Sequence, residues 1–417
     1  MFAIFWRGTL VAGLASAVCM GPATAQEPSA VSLEEALDLT GVTDGASSAA
    51  TNPRIVGPRA DSEAAQALVG QARLRANPEV SLEVENIAGS GAFSGLSATE
   101  YTLAVGQRIE LGGKRGARVE AAQAQAQLAD LRADLADAEL GFLVRDRYVA
   151  AAAAAARVEL ARDVVERNEE LARIAGVLVE VGREPPLRAL RAEAALAEAR
   201  AELQGAEAAS LAARTALAAL WSGEGAPPLV PSDFPDIDPP GAVLASATGL
   251  QLQVARAESR AAAAEIDRER SLRILDPVVS AGVRRFEESN DNAFLVGVSI
   301  PLPFSNRNQG NIAAAQARLR AANAREAVAL ADFEQAVTRS RAEYLAAEAR
   351  VETLSATSLP QAEEALRLVR IGYRNGRFPL IEVLSAAEAR DAIREALIAA
   401  QEDQGQAAAE LIRLAAQ

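Results

Sequence analysis

GQRIELGGKRGARVEAAQAQAQ, residues 106 to 127, changes character in its middle. Up to Leu111 apolar and polar residues alternate as in a strand. The chain then passes Gly112 and Gly113 and emerges with Ala, Gln, Arg and Glu at helical spacing. Residues 298 to 320, VSIPLPFSNRNQGNIAAAQARLR, make the same transition, with Pro301 and Pro303 ahead of the helix instead of glycines. A strand joined directly to a long helix, twice, is the pattern from which the fold is read.

The recurrence extends along the chain. Lys114-Arg115-x-x-x-Val119 aligns with Arg307-Asn308-x-x-x-Ile312, an offset of 193 residues. Gly182-Arg183-x-x-x-Leu187-x-x-Leu190 aligns with Gly376-Arg377-x-x-x-Ile381-x-x-Leu384 at an offset of 194, and Glu169-Glu170 falls on Glu363-Glu364 at that same offset. Asn77-Pro78 matches Asp276-Pro277 further upstream. The chain reads as a tandem duplication. The first repeat is expected over 26–220, with strands at about 79–86 and 100–111 and a long helical hairpin at 116–220. The second is expected over 246–417, with strands at about 277–286 and 292–303 and a hairpin at 310–417. The Pro- and Gly-rich stretch 221–245 reads as the linker between them. A shorter helix precedes each strand pair, at roughly 58–76 and 246–275, and residues 27–53 look partly irregular.

Three of the four strands alternate well: Val80, Leu82 and Val84; Leu103, Val105, Ile109 and Leu111; Phe294, Val296, Val298, Ile300 and Leu302. The third is weaker, with Arg284 and Arg285 breaking its pattern. Such alternation suits either a half-buried sheet or a membrane barrel. Four strands are too few to close a barrel, so either several chains share one or the sheet is soluble and covered. From Gly116 to Val181 no proline interrupts roughly 100 Å of helix. Leu128, Leu131, Leu135, Ala138 and Phe142, and later Leu319, Leu330, Phe333 and Val337, step as a coiled-coil seam. Pro185-Pro186 and Pro379 sit where hairpins would turn and restart.

Composition excludes several functions. Arg7, the apolar run GTLVAGLASAVCMG and Ala23-Thr24-Ala25 read as a signal peptide over 1–25, too short to span a bilayer, and Ser16-Ala17-Val18 is a poor lipidation context for Cys19. The remaining residues hold neither cysteine nor histidine, which removes disulfides, Cys/His metal sites and Ser-His or Cys-His catalytic pairs. A formal charge of −14 argues against nucleic acid. Aromatic residues are only 4%, so a thick globular core is not expected; Ala, Leu, Glu, Arg and Gln dominate, as in long packed helices.

The duplicated halves, IELGGKRGAR in one and PLPFSNRNQGNI in the other, and the G-R-x-x-x-[LI]-x-x-L hairpin tip in each resemble the TolC-like outer-membrane efflux proteins, most of all their CzcC-like heavy-metal branch. The resemblance covers nearly all of the chain after the leader. It implies a mainly α fold with a small β part. Three chains would each give four strands to one outer-membrane barrel, continued by a periplasmic helical tunnel. It further implies a passive exit duct with no cofactor and no catalytic or metal site, docked on a periplasmic adaptor and on an inner-membrane pump of the proton-driven resistance-nodulation-division type. Drugs or other organic solutes are the alternative cargo.

On that reading Gly112, Gly113, Pro301 and Pro303 make the strand-to-helix junctions, and Lys114, Arg115, Arg118 and Arg307 sit where basic groups can meet lipid phosphates, or are merely solvated first turns. The tips, Gly182, Arg183, Leu187, Leu190, Gly376, Arg377, Ile381 and Leu384, are expected to dock the adaptor, against the plainer reading that the hairpins pack on themselves. Glu169, Glu170, Glu363 and Glu364 are candidates for an acidic entrance, against the plainer reading of solvated helix faces. Two rivals remain. A periplasmic adaptor would show one hairpin flanked by β-rich segments, and a carboxylate glycosidase would need a cleft that alanine-rich helices make poorly.

Overall fold

The computed structural model describes residues 30–41, 52–221, 226–239 and 249–416. The expected leader, Cys19 included, lies outside them, as does part of the linker. In chain order the elements are α1 (Leu33–Thr40), α2 (Pro53–Ala72), β1 (Glu79–Glu85), β2 (Glu100–Arg108), α3 (Lys114–Glu180), α4 (Pro186–Ala218), α5 (Leu250–Ser271), β3 (Val278–Phe286), β4 (Asn292–Ser299), α6 (Gln309–Thr353), α7 (Leu359–Arg374) and α8 (Leu380–Ala415). The strands form one antiparallel sheet in the order β1-β2-β3-β4, so the halves of the chain join through β2 and β3.

Several boundaries differ from the sequence expectation, each for a local reason. β2 stops at Arg108, not at residue 111: Ile109 N–H still donates to Pro277 O at 2.9 Å, but Leu111 N–H turns to the Asp276 carboxylate at 2.9 Å, and Gly112 and Gly113 then take φ of +70° and +72°. β4 stops at Ser299, not at residue 303, because Pro301 and Pro303 have no N–H to give the ladder. The long helices begin at Lys114 and Gln309, slightly ahead of the expected 116 and 310, and the short helices run 53–72 and 250–271.

α3 has 67 residues, about 100 Å of helix, and packs against α1, α2, α4, α5 and α8. Its Leu128 contacts Ala257 and Ala261 of α5. Further along, Leu140, Val144 and Tyr148 are buried with Ile55, Leu217 and Leu220. Ala151, Ala152 and Ala153 are fully buried, so small side chains let helices approach closely there. A Cβ on Gly405 of α8 would stand 2.8 Å from Val149 Cγ2. Part of the expected linker belongs to this belt: Leu229 bridges Ala30, Val31 N–H donates to Leu229 O at 2.9 Å, and Val230 joins the core around Tyr148.

The second half has one irregularity that the first lacks. Residues Leu354–Ser358 form a π-turn between α6 and α7. Pro360 stands two residues after it; it cannot donate to the preceding turn, and a wider turn accommodates the missing bond.

The junction glycines are unequal. A Cβ on Gly112 would lie 2.5 Å from Ile274 Cδ1 and 2.8 Å from Ile274 Cβ, whereas Gly113 faces open space. Gly113→Ala therefore costs only the left-handed backbone penalty, about 1 kcal/mol, and Gly112→Val adds a clash with Ile274. Gly112→Val is expected to lower the melting temperature of the purified protein markedly, and Gly113→Ala only modestly, as followed by loss of helical circular dichroism on heating. Equal shifts would contradict this ranking.

Candidate functional site

The sheet has one apolar and one polar face, and the apolar face is uncovered. Register puts Leu82, Leu103, Val283 and Phe294 in one cross-strand row and Val80, Val105, Ala281 and Val296 in the next. These side chains point outward, with Phe294 90% and Val296 82% exposed. The opposite face is the more buried along β2, β3 and β4 and carries Thr102, Ala104, Gly106, Ser280, Gly282, Arg284 and Gly297, with Leu295, Phe286 and Val278 among them. The outer edges of β1 and β4 have no strand partner among the described residues. A continuous apolar face of this extent marks a lipid or protein contact, and the polar reverse face fits a barrel wall with water inside.

Arg284, which broke the sequence pattern, falls on the polar face. Its guanidinium donates to Thr102 Oγ1 and Glu100 Oε2, each at 2.9 Å, and lies 2.9 Å from Glu85 Oε2, so one side chain ties β3 to β2 and β1. Arg285 points the other way at the strand end, donating to Asn290 Oδ1 at 2.6 Å. The pairing of β2 with β3 joins residues about 180 positions apart, a register that cannot be read within either strand alone.

At the junctions, basic residues are tied to protein groups as well as to the surface. Lys114 is buried, with Nζ 2.7 Å from Asp276 Oδ1. Arg118 pairs with Glu110 at 2.6 Å and donates to Ala72 O and Leu74 O, each at 3.0 Å, holding the end of α2. Asn308 does the equivalent task for α5, donating to Glu269 O at 2.9 Å and to its carboxylate at 2.6 Å. Arg115 and Arg307 are exposed; Arg307 Nε reaches only Pro303 O, at 3.4 Å. The carboxylates record these contacts. Glu110 is held below its ordinary range chiefly by its hydrogen bond to Arg118, and Glu269 chiefly by that to Asn308. For Asp276 burial pushes upward, but the bonds from Lys114 and the Leu111 N–H outweigh it, and the net shift is down. A signal for this partner exists in the sequence: the two repeats differ as Asn77-Pro78 against Asp276-Pro277.

The hairpin tips share one turn geometry. Gly182 and Gly376 have φ of +70° and +69°, and the N–H groups of Arg183 and Arg377 donate back to Leu178 O at 2.9 Å and Gly372 O at 2.8 Å. Leu187, Leu190 and Ile381 are more than half exposed, so those three do not pack the hairpins on themselves; Leu384 is half-buried. Leu384 lines a cavity of about 510 Å³ with Tyr373, Arg374, Ile174 and Arg167. The tips also differ: Phe378 packs flat on Gly372, where any Cβ would collide with the ring, and the first tip has Glu184 and Leu178 in those places. Above the tips, Arg167 pairs with Asp391 and Arg157 with Glu395 at 3.0 Å and Glu402 at 2.8 Å, joining α3 of the first half to α8 of the second.

The four candidate entrance carboxylates are not equivalent. Glu169 pairs with Arg200 at 2.7 Å, Glu170 with Arg173 and Glu364 with Arg367 at 2.6 Å, while Glu363 has no ion pair among the described residues. Hydrogen bonds from those arginines hold Glu170 and Glu364 below the ordinary carboxylate range. Among the described residues no group of three or more His, Cys, Asp or Glu is placed to hold a metal ion, and no helix is long and apolar enough to cross a membrane.

The sequence pattern of the family described as outer membrane efflux protein matches residues 46–223 and 243–417. The cobalt-zinc-cadmium resistance protein CzcC of Cupriavidus metallidurans is 32% identical over 330 residues, 76% of this chain and 75% of that protein. The nickel and cobalt resistance protein CnrC of the same organism is 36% identical over 281 residues, 67% of each chain. Among solved structures, the outer membrane protein VceC of Vibrio cholerae superposes with a TM-score of 0.73 at 21% identity, covering 92% of this chain and 96% of that one.

The Lys114–Asp276 pair gives a stability test. Lys114→Met leaves a carboxylate with little solvent access, a loss of about 3 kcal/mol for a broken buried pair. Because the folded Asp276 value lies below the ordinary 3.8, its contribution is complete above that value and fades as pH falls through the lower folded one. Without the lysine, burial pushes the Asp276 value upward. The variant is therefore expected to melt earlier at neutral pH, and its deficit against the parent is expected to shrink as pH falls through the carboxylate range, where Asp276 becomes protonated in both proteins. Identical melting profiles across pH would show that the pair does not hold the junction.

Proposed function

The chain belongs to the outer membrane efflux protein family, and from that membership we propose that it is the exit duct of a tripartite system expelling heavy-metal cations. The family is one of outer-membrane channels, and this chain is such a channel, with a large periplasmic helical part. The observation that carries the reading is the four-stranded sheet with an uncovered apolar face and outer edges that have no strand partner among the described residues. One chain cannot close such a sheet in lipid. Three copies joined edge to edge make a closed barrel, so the working unit is a homotrimer set in outer-membrane lipid.

Transport through it is passive and requires neither catalysis nor a cofactor. An inner-membrane pump, of the proton-driven resistance-nodulation-division type, supplies the energy through a periplasmic adaptor. The metal cargo rests on the relatives, whose names record cobalt, zinc, cadmium and nickel resistance.

The adaptor contacts are assigned to the tips. Gly182 and Gly376 turn the chain, Leu187, Leu190 and Ile381 present apolar surface, and Arg183 and Arg377 have no ion-pair partner among the described residues. Leu384 contributes from the wall of its cavity. At the other end Arg115 and Arg307 are the junction cations free to meet lipid phosphates, and Gly112, Gly113, Pro301 and Pro303 shape the bends. The entrance role falls to Glu363 first, since Glu169, Glu170 and Glu364 are already balanced by arginines.

A deletion strain grown against zinc, cobalt, cadmium, nickel and copper, beside detergents, dyes and antibiotics, tests the cargo. Sensitivity confined to metals is expected; sensitivity confined to organic compounds would keep the duct and overturn the metal. Arg183→Glu with Arg377→Glu is expected to abolish resistance while leaving oligomer yield unchanged. Full resistance in that double variant would remove the tips from docking.

A further inference from the structure

We propose that copies of the chain recognise one another through α6 of one and α2 of the next, locked by an ion pair between Arg325 and Asp61 of neighbouring copies. The inference rests on the homotrimer reading above and names the residues that make the contact.

The duplication supplies a template. α2 packs on α3 as α5 packs on α6, and the two pairs are held by matched bonds: Ser62 Oγ donates to Asp130 Oδ1, and Ser259 Oγ to Asn323 Oδ1 at 2.7 Å. Ser62 and Ser259 stand 197 positions apart, and Asp130 and Asn323 stand 193 apart, the spacing that also separates the starts of the long helices. Ile55 and Leu252, again 197 apart, are both fully buried. These pairs fix which residue of one half corresponds to which residue of the other.

The halves meet through α3 and α5. Leu128 packs on Ala257 and Ala261, with Leu131 beside them, and Arg132 pairs with Glu258 at 2.6 Å. That contact runs from the first half to the second. Its counterpart, from the second half to the first, would join α6 to α2, which do not pack together among the described residues. The sheet repeats the relation, since β2 pairs with β3 across the halves while β4 and β1 are its outer edges.

Moved by the same spacings, Leu128 and Leu131 become Ala321 and Ala324, and Ala257 and Ala261 become Ala60 and Ala64. Arg132 and Glu258 become Arg325 and Asp61, so opposite charges return at the positions where the template has its ion pair. All six of these residues are exposed, whereas Leu128, Ala257 and Ala261 are buried in the template. Asp61 has no ion pair among the described residues, and Arg325 lies 3.7 Å from Glu258 of its own chain. A second copy covers the alanines and brings the two charges together. An ion pair at such a contact sets register and partner choice more than affinity.

The test is cross-linking of the full-length protein in outer-membrane extracts. Its only cysteine, Cys19, lies in the expected leader, so Ala64→Cys with Ala321→Cys supplies the reactive pair. Oxidation by diamide, which takes up the two thiol hydrogens as the disulfide forms, is expected to give species of two and three chains on denaturing gels, reversed by reductant. Neither single variant should cross-link, because α2 of one copy meets α6 of the next and never another α2. No cross-link in a double variant whose native mass is still that of three chains would overturn the inference while the homotrimer stands. A native mass of one chain for the parent would overturn both. Arg325→Gln and Asp61→Asn keep the test decisive where the cysteine pair fails to assemble. Each is expected to lower the temperature at which the oligomer dissociates, and the two together to lower it no further than the more damaging one alone. That cycle also separates the pair from the looser contact of Arg325 with Glu258. Additive losses, or none, would overturn the inference.

Discussion

The architecture depends on one local constraint, the conversion of a β-strand into a helix within a few residues at the end of the sheet. A strand that keeps an apolar face outward cannot run smoothly into a helix of about 100 Å; the ladder must end and the axis must swing. In the first half the turn is made by two residues of positive φ, with Gly112 pressed on Ile274. In the second it is made by two prolines and Asn308, itself at φ 60°. Both solutions then tie the start of the long helix to the end of the short one, by Arg118 in one case and Asn308 in the other. The duplicated chain keeps the task and changes the chemistry.

From that constraint the division of labour follows. On one side of the junctions lies a thin single sheet. On the other side lie helices whose packing depends on small side chains and on cross-pairs such as Arg157 with Glu395. Alanine serves the helical part because close approach of long helices gains dispersion contacts along their whole length while burying no polar side chain. The belt around Tyr148 closes the arrangement. There the segment near Val31 and the inter-repeat stretch near Val230 both pack against α3, so connections that read as loose in sequence are fastened.

Much of this was legible in the sequence because it is periodic. The repeat offsets, the alternation of Val80 to Val84 and Leu103 to Val105, and the seam around Leu128 each express a regular geometry that residue spacing alone records. What was not legible depends on partners far apart in the chain. Arg284 looks like a defect in its strand until β3 is set beside β2, where Thr102 and Glu100 receive it. Lys114 looks like a misplaced cation at a helix start until Asp276 is brought beside it. Apolar alternation runs on to Leu111 and Leu302, past Arg108 and Ser299 where the ladders stop, so strand ends are not legible from alternation alone. Pro360 did carry a readable sign of the π-turn, since a proline inside a helical pattern must be accommodated somewhere.

The central claim is that the four strands of this chain are one part of a barrel closed by identical copies in the outer membrane. Native mass spectrometry of the complex extracted in mild detergent tests it most directly. A single dominant species of three chains, recovered from the outer-membrane fraction, is the predicted result. A monomer, or recovery of the protein mainly from the soluble periplasmic fraction, would contradict the claim and return the sheet's apolar face to the status of an unexplained surface.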